Sequence, residues 1–175
     1  MDNIILTGPK HCGKTTAGKA LASLISGSFI DIDEEITQRT GSSPRELYKE
    51  SPAVFQKAEA ETITALAGVS NAGKRVIAAG GGIIDNPEAG VLLASLKNSG
   101  SKIVYLDLSA AAAWERINAG SKELPPFLQT DNPQETHRIL HDRRAAAYRQ
   151  IADIVIDAEG KTPYIIAEEI AAIYY

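Results

Sequence analysis

The chain has 175 residues and an ordinary composition, 44% hydrophobic and 23% charged, which suits a single domain with its own core. The formal net charge of −4 gives no basic excess for nucleic acid, and one cysteine excludes an internal disulfide. No apolar run reaches the length of a membrane span, and the first residues lack the basic start of a signal peptide. We therefore expect a cytoplasmic protein that binds neither membrane nor nucleic acid.

The first motif in the chain fits the pattern G-x-x-x-x-G-K-[ST] of a phosphate-binding loop. The apolar run 4–6 before it predicts a buried strand, and apolar spacing over 16–26 predicts a helix after it. In this arrangement, backbone N–H groups and the positive end of the helix dipole surround a phosphate. An ordinary glycine-rich turn is the less favoured alternative. The residues expected to bind the nucleotide are Gly8, Pro9, Lys10, His11, Cys12, Gly13, Lys14, Thr15 and Thr16.

Three residues of this loop have more specific expected roles. Lys14 would reach the outer phosphates, and the Thr15 hydroxyl would hold Mg²⁺. Cys12 is interpreted as a small filling residue rather than as a redox group.

Residues 28–33 predict a second strand, with Asp31 and Asp33 at its carboxyl end. Ligands of open α/β sheets bind at such ends, and residues two apart on an extended backbone share one side. One carboxylate of the pair would hold Mg²⁺ and the other would accept a hydroxyl proton. The alternative is that the aspartates cap the next helix, a frequent role of this residue.

The middle of the chain predicts a third strand over 75–79, followed directly by Gly80, Gly81 and Gly82. The triplet indicates either a flexible turn or a place where the backbone closely approaches a ligand, and its position at a strand end favours the second interpretation. Helices are predicted over 34–40, from 43–44 onward, over 53–67 and from 86–87 onward.

The last part of the chain predicts two further strands, 102–108 and 154–156, and a polar, Pro-rich loop over 120–133. The loop is either a mobile lid or a plain surface connection. Helices are predicted after Ser109, from 133 to about 150, and from 163 to 175. Five apolar strands alternating with helices predict a parallel sheet covered on both faces, in a doubly wound α/β architecture.

With these residues placed, the chain resembles the shikimate kinase family of small P-loop kinases along nearly its whole length. The motifs that carry the resemblance beyond the phosphate loop are Phe29-Ile30-Asp31-Ile32-Asp33, Arg39-Thr40-Gly41, Phe55 with Glu59, the glycine triplet 80–82, Val104-Tyr105-Leu106, and Arg144 with Tyr148-Arg149. The resemblance implies a three-layer P-loop NTPase fold, a sheet of order 2-3-1-4-5, and a lid over 119–133. It also implies ATP as the nucleotide, Mg²⁺ as the metal and shikimate as the small-molecule partner of a monomeric enzyme.

The resemblance also assigns roles to individual residues. Asp31 would support Mg²⁺ with Thr15, while Asp33 would contact the acceptor and take its proton. The glycine triplet and position 56 would line the acceptor site. Arg144 would bind the acceptor's carboxylate. Lys14 and Arg116 would act on the transferring phosphate, Arg116 from the nucleotide side.

Two expected arginines are missing from this sequence. Gln56 stands where the family has Arg after Phe, and Pro125 stands at the lid arginine. The residues before the Phe also depart from the family, with Ser51-Pro52 in place of Gly-Glu. Because glutamine cannot supply a charged bidentate contact, shikimate affinity should be weaker unless Lys57 or Lys122 compensates.

The missing charges leave three hypotheses open. The favoured one is phosphorylation of shikimate to shikimate 3-phosphate. The others are a kinase of the same fold with a different hydroxylated acceptor, and a nucleotide-binding homologue without catalysis. His137 and His141, four apart on a helix, suggest either metal ligands or a solvated face, and the solvated face is favoured.

Overall fold

The apolar runs form one parallel sheet in this computed structural model, which describes residues 3–68, 73–120 and 124–175. The strands, in chain order, are β1 Asn3–Thr7, β2 Ser28–Asp31, β3 Arg75–Ala78, β4 Lys102–Asp107 and β5 Ile154–Asp157. Their order across the sheet is β2-β3-β1-β4-β5, and every neighbouring pair is parallel. The predicted doubly wound fold and strand order are confirmed.

Helices cover both faces of this sheet. Those within the described ranges are α1 Lys14–Leu24, α2 Ile32–Thr40, α3 Pro44–Glu50, α4 Pro52–Gly68, α5 Pro87–Asn98, α6 Ala110–Gly120, α7 Pro133–Ile151 and α8 Pro163–Tyr174. Alternate residues of β1 serve opposite faces: Ile4 and Leu6 join the core under α1 and α8, while Ile5 joins the core on the other side. Burial on both faces explains why these strands are continuous apolar runs rather than alternating patterns.

The predicted helix starts are explained by capping. Ser43, Asn86, Asn132 and Thr162 each cap a helix with the side-chain oxygen, and each precedes a proline at the first helical position. Proline there loses no helical hydrogen bond and has a backbone angle suited to a helix. Ser43 also forms a reciprocal capping box with Glu46.

The second strand differs from the prediction. It ends at Asp31, and Asp33 lies in the first turn of α2 instead of on an extended backbone. The reason is local, since Asp31 Oδ1 accepts a hydrogen bond of 3.0 Å from the Asp33 backbone N–H and begins the helix. The two carboxylates therefore do not share one side of a strand.

The predicted polar loop is also partly wrong. Its first residue, 120, belongs to α6, as does residue 119 of the implied lid, and residues 126–128 form a turn of 3₁₀ helix in which Leu128 is fully buried. Residues 121–123 of the predicted lid, including Lys122, lie outside the described residues. None of the helices in the described ranges combines the length and apolarity needed to cross a membrane.

Candidate active site

The phosphate loop between β1 and α1 adopts a conformation that its glycines permit. Gly8 has φ 142° and Gly13 has φ 100°, in the left-handed range that side chains disfavour. A Cβ on Gly8 would stand only 2.6 Å from the carbonyl oxygen of Leu106, so a larger residue would push the loop off β4. His11 also has a positive φ, 62°. The central position of β1 places this loop at the carboxyl edge of the sheet, where parallel sheets bind ligands.

Lys14 spans the loop from the first turn of α1. Its ammonium donates to the carbonyl oxygens of Gly8 at 2.9 Å and Pro9 at 2.8 Å, which holds the positive charge at the centre of the loop. Cys12 is buried beneath, 1% exposed, in agreement with its interpretation as a filling residue. No side chain of the described residues caps α1 at Gly13, so N–H groups of its first turn point toward the loop interior.

Thr15 and Asp31 meet beside the loop. The Thr15 hydroxyl donates to Asp31 Oδ2 at 2.8 Å, although the two residues belong to different elements. A hydroxyl and a carboxylate in contact are the hard oxygen ligands that Mg²⁺ prefers, and this ion commonly takes only one or two protein ligands beside phosphates. The residues present therefore fit Mg²⁺.

Asp33 lies on the cavity side of α2. Its carboxylate is open to the cavity, but protein surrounds it on most sides, and this burial together with the nearby Asp31 raises its pKa. The amino groups of Lys10 and Lys14 oppose the shift. A carboxylate with a raised pKa is a better proton acceptor than an ordinary aspartate.

The glycine triplet after β3 lies where three walls of the site converge. A Cβ on Gly81 would stand 3.0 Å from the backbone nitrogen of Lys10, and one on Gly82 would stand 3.2 Å from Arg144 Nη2. A Cβ on Gly80 would be 3.1 Å from Glu59 Oε1 and 3.3 Å from Asp33 Oδ1. Side chains at these positions would fill the space between the phosphate loop, α4 and Arg144.

These elements enclose a cavity of about 620 Å³. The phosphate loop, Asp31 and Asp33 form one end, and the far end is formed by α3, α4, the turn after the glycine triplet and Arg144. Its described lining is Lys10, His11, Gly13, Lys14, Thr15, Thr16, Asp31, Asp33, Pro44, Arg45, Tyr48, Pro52, Phe55, Gln56, Glu59, Ala78, Ala79, Gly80, Gly81, Gly82, Asp85, Pro125, Pro126, Phe127 and Arg144. Most of the residues selected from the sequence therefore share one cavity.

Other selected residues lie outside the cavity lining. Arg116 reaches the loop from α6, where its Nη1 donates to the His11 carbonyl at 3.0 Å. Lys57 is 76% exposed and faces Glu61 on the outer side of α4, so it does not replace the missing arginine. Arg45, which sequence reasoning did not select, lines the cavity instead.

Gln56 reaches the acceptor end but carries no charge there. Its Nε2 donates to the backbone carbonyl of Asp85 at 3.3 Å, and the backbone carbonyl of Gln56 accepts from Asn86 Nδ2 at 2.8 Å. Gln56 thereby ties α4 to the turn after the glycine triplet.

Glu59 carries part of the resemblance in the sequence, but sequence reasoning assigned it no role in the site. It lies on the apolar stripe of α4, between Phe55 and Ile63 at steps of four, and it is 0% exposed. Its Oε2 accepts from Asn86 Nδ2 at 2.9 Å, while Oε1 has no hydrogen-bond partner among the described residues. Burial raises its pKa from 4.5 to about 7. A glutamate within a helical apolar stripe was the signal that could have identified it.

Replacing Glu59 with glutamine should make the protein's stability less dependent on pH. The pKa of Glu59 is higher in the folded state than in the unfolded state. Its burial therefore costs no stability below pH 4.5, where the carboxyl is protonated in both states, and wild-type stability falls as pH rises from 4.5 to about 7. Glutamine carries no charge, so the Glu59→Gln protein should become more stable than the wild type as pH rises through this range, by on the order of 3 kcal/mol at pH 7. Denaturant unfolding at several pH values measures the difference.

The matched control is Glu61→Gln, an exposed carboxylate on the same helix, which should keep the wild-type pH profile. Parallel profiles for wild type and Glu59→Gln would show that Glu59 keeps its ordinary pKa.

Arg144 lies against Asp85 at the acceptor end. Its Nε and Nη2 donate to Asp85 Oδ2 at 2.8 and 2.6 Å, and Arg143 Nη2 donates to Asp85 Oδ1 at 2.7 Å. The Arg144 guanidinium also stands over the Phe127 ring, 5.4 Å from its centroid. The predicted carboxylate-binding arginine is therefore in the cavity, paired with a carboxylate of the protein itself.

Phe127 connects the segment 124–128 to the far end of the cavity. Its ring meets the Tyr48 ring edge-on at 6.3 Å, and Tyr48 meets Phe55 at 6.1 Å. These contacts cover the acceptor end from the side of residues 124–128, in the position where a closing segment would exclude water.

The expectation of a solvated histidine face is wrong. His137 and His141 are only 7% and 8% exposed. His141 Nε2 is 2.9 Å from the Leu108 carbonyl, and His137 packs against Trp114. The described residues contain no group of three or more His, Cys, Asp or Glu side chains placed to hold a metal ion.

The fold and this cavity together define a P-loop kinase for a small molecule. A phosphate loop follows the central strand, an oxygen pair suited to Mg²⁺ stands beside it, and the Asp33 carboxylate lines the same cavity. The comparisons with known proteins specify the class further. A family model described as shikimate kinase matches residues 10–174, and the chain belongs to this family.

Individual relatives agree over nearly the full length. Shikimate kinase of Dechloromonas aromatica is 35% identical over 172 residues, which cover 95% of this chain and 89% of that protein. Shikimate kinase of Moorella thermoacetica is 36% identical over 169 residues, covering 96% and 91%. The solved structure of Acinetobacter baumannii shikimate kinase in complex with shikimate has a TM-score of 0.85 at 28% identity, covering 98% and 91%.

Proposed function

We propose that this chain transfers the terminal phosphoryl group of ATP to a hydroxyl of shikimate. The observation that carries the proposal is the shared cavity, which has Lys14 and the Thr15–Asp31 pair at one end and Asp33 and Arg144 toward the other. Family membership supplies the acceptor, because the relatives are named shikimate kinases. We further propose that it acts as a monomer.

Each residue has a distinct task in this proposal. The phosphate loop, residues 8–16, binds the nucleotide, and Lys14 neutralises charge that develops on the transferring group. Mg²⁺ held by Thr15 and Asp31 would screen the phosphates. Asp33 accepts the hydroxyl proton, and Gly80, Gly81, Gly82 and Gln56 bound the acceptor. Arg144 binds the acceptor's carboxylate, and Arg116 stabilises the loop from the nucleotide side.

A second candidate is a hydroxylated acceptor without a carboxylate. Two observations favour it, namely the uncharged Gln56 and the pairing of Arg144 with Asp85. A carboxylate that loses hydration in a partly dry cavity needs charged donors in return, and this cavity lacks the two arginines that the family has at positions 56 and 125. A non-catalytic homologue gains no such support, because Lys14, Thr15, Asp31 and Asp33 all line the cavity.

Steady-state ADP release over a panel of acceptors distinguishes these functions. With Mg²⁺ and ATP held constant, shikimate, quinate, gluconate and an uncharged polyol are compared by kcat/KM. We expect the highest value with shikimate. Turnover restricted to the polyol would establish the second candidate, and nucleotide binding without turnover of any acceptor would refute both kinase assignments.

A further inference from the structure

Asp85 places a carboxylate of the protein where the acceptor's carboxylate is expected to bind. It ends the short 3₁₀ turn 83–85 that follows the glycine triplet, and it lines the cavity. Both of its oxygens are used: Oδ2 accepts from Arg144 at 2.6 and 2.8 Å, and Oδ1 accepts from Arg143 at 2.7 Å. The contact with Arg144 is therefore a charge-assisted pair made through two nitrogens.

Asp85 occupies an edge of the Arg144 guanidinium that a substrate carboxylate could bind. A guanidinium carries five N–H donors, and Asp85 takes the edge formed by Nε and Nη2. Nη1 is directed to the Gly81 carbonyl at 3.3 Å, and the plane stands over Phe127. An incoming carboxylate must displace Asp85 from that edge or remain beside it as a like charge, and either arrangement weakens its binding.

The surroundings keep Asp85 in this position. Gln56 donates to the Asp85 backbone carbonyl and so fixes the turn from α4. Arg143 is 60% exposed and holds the second oxygen from outside the cavity, whereas the side chain of Arg144 is only 18% exposed. Asp85 can thus leave Arg144 and still keep one cation.

We infer that Asp85 competes with the acceptor's carboxylate for Arg144 and thereby sets the balance between charged and uncharged acceptors. The inference rests on the proposed function, since it concerns the acceptor site of the same reaction. It assigns Asp85 as a specificity-determining residue. When shikimate binds, Arg144 exchanges one carboxylate for another, while Arg143 retains Asp85.

The test measures Asp85→Asn and wild type with two acceptors that differ in charge, shikimate and its methyl ester. Asparagine keeps the shape of Asp85 but cannot compete for Arg144 as an anion. The shikimate KM should fall about 10-fold, the size expected for one charged contact, while the KM of the ester should stay within about twofold. Glu88→Gln, an exposed carboxylate in the first turn of α5, is the control for net charge and should leave both values unchanged.

A second variant has the opposite expectation. Arg143→Gln removes the outer partner of Asp85, so Asp85 should hold Arg144 more tightly and the shikimate KM should rise about 10-fold. Equal changes for shikimate and ester, or a higher shikimate KM in Asp85→Asn, would overturn the inference and make Asp85 a residue that orients Arg144.

Calorimetry with Mg²⁺ and ADP present separates this inference from the proposed function. If wild type turns over neither compound, the proposed function fails. Shikimate binding that appears or strengthens in Asp85→Asn would then still support competition for Arg144. Shikimate binding that is absent or unchanged in that variant would overturn it.

Discussion

Replacing Lys14 with alanine should lower kcat by about 10³-fold or more while the protein stays folded. The ammonium lies at the centre of the phosphate loop, held by the carbonyls of Gly8 and Pro9. Charge on the transferring phosphoryl group develops within reach of this ammonium, so its loss acts mainly on the transition state and less on ground-state binding. Steady-state kinetics with saturating ATP and acceptor measures the effect.

Lys19→Ala provides the matched control, because Lys19 is an exposed lysine on the same helix. It should keep wild-type kcat. Circular dichroism and thermal unfolding of both variants establish that the fold is intact. Near-wild-type kcat in a folded Lys14→Ala protein would remove Lys14 from catalysis.

Replacing Asp33 with asparagine should lower kcat by about 10²–10⁴-fold, the usual contribution of a positioned general base. Burial and Asp31 raise the pKa of Asp33, so in the wild type the rate should rise with pH as this carboxylate ionises. Asparagine cannot accept the proton, and this acidic limb should disappear from the profile. The measurement is kcat against pH for both proteins.

Two further variants separate a loss of the general base from other effects of the Asp33 substitution. Glu34→Gln changes the exposed neighbouring carboxylate and should leave kcat unchanged. Asp31→Asn should instead raise the Mg²⁺ concentration needed for half-maximal rate, because Asp31 pairs with the Thr15 hydroxyl. Small and equal effects at positions 31 and 33 would mean that both aspartates serve only to begin α2.

Local patterns were sufficient to predict most of the fold. Apolar runs gave the five strands, and a capping residue before proline marked several helix starts. The phosphate loop could also be predicted from its motif, because its glycines and Lys14 act through local backbone geometry. Asp33 was placed in a strand, because the hydrogen bond from its N–H to Asp31 decides where the strand ends.

Contacts between residues far apart in the sequence could not be predicted from local patterns. The pairing of Asp85 with Arg144 joins residues 59 positions apart, and it depends on how α7 packs over the turn. The four-residue spacing of His137 and His141, without an evident third ligand, favoured a solvated face, yet the two side chains are buried, against Trp114 and the Leu108 carbonyl. Glu59 was visible as a charge in an apolar stripe, but its unpaired oxygen follows from the tertiary arrangement.

The most direct test of phosphoryl transfer to shikimate is ³¹P NMR of the wild-type protein with ATP, Mg²⁺ and shikimate. We expect a phosphomonoester signal that grows together with ADP, requires both Mg²⁺ and shikimate, and corresponds to shikimate 3-phosphate. A folded protein that binds ATP but produces no phosphomonoester from shikimate would contradict the proposed function.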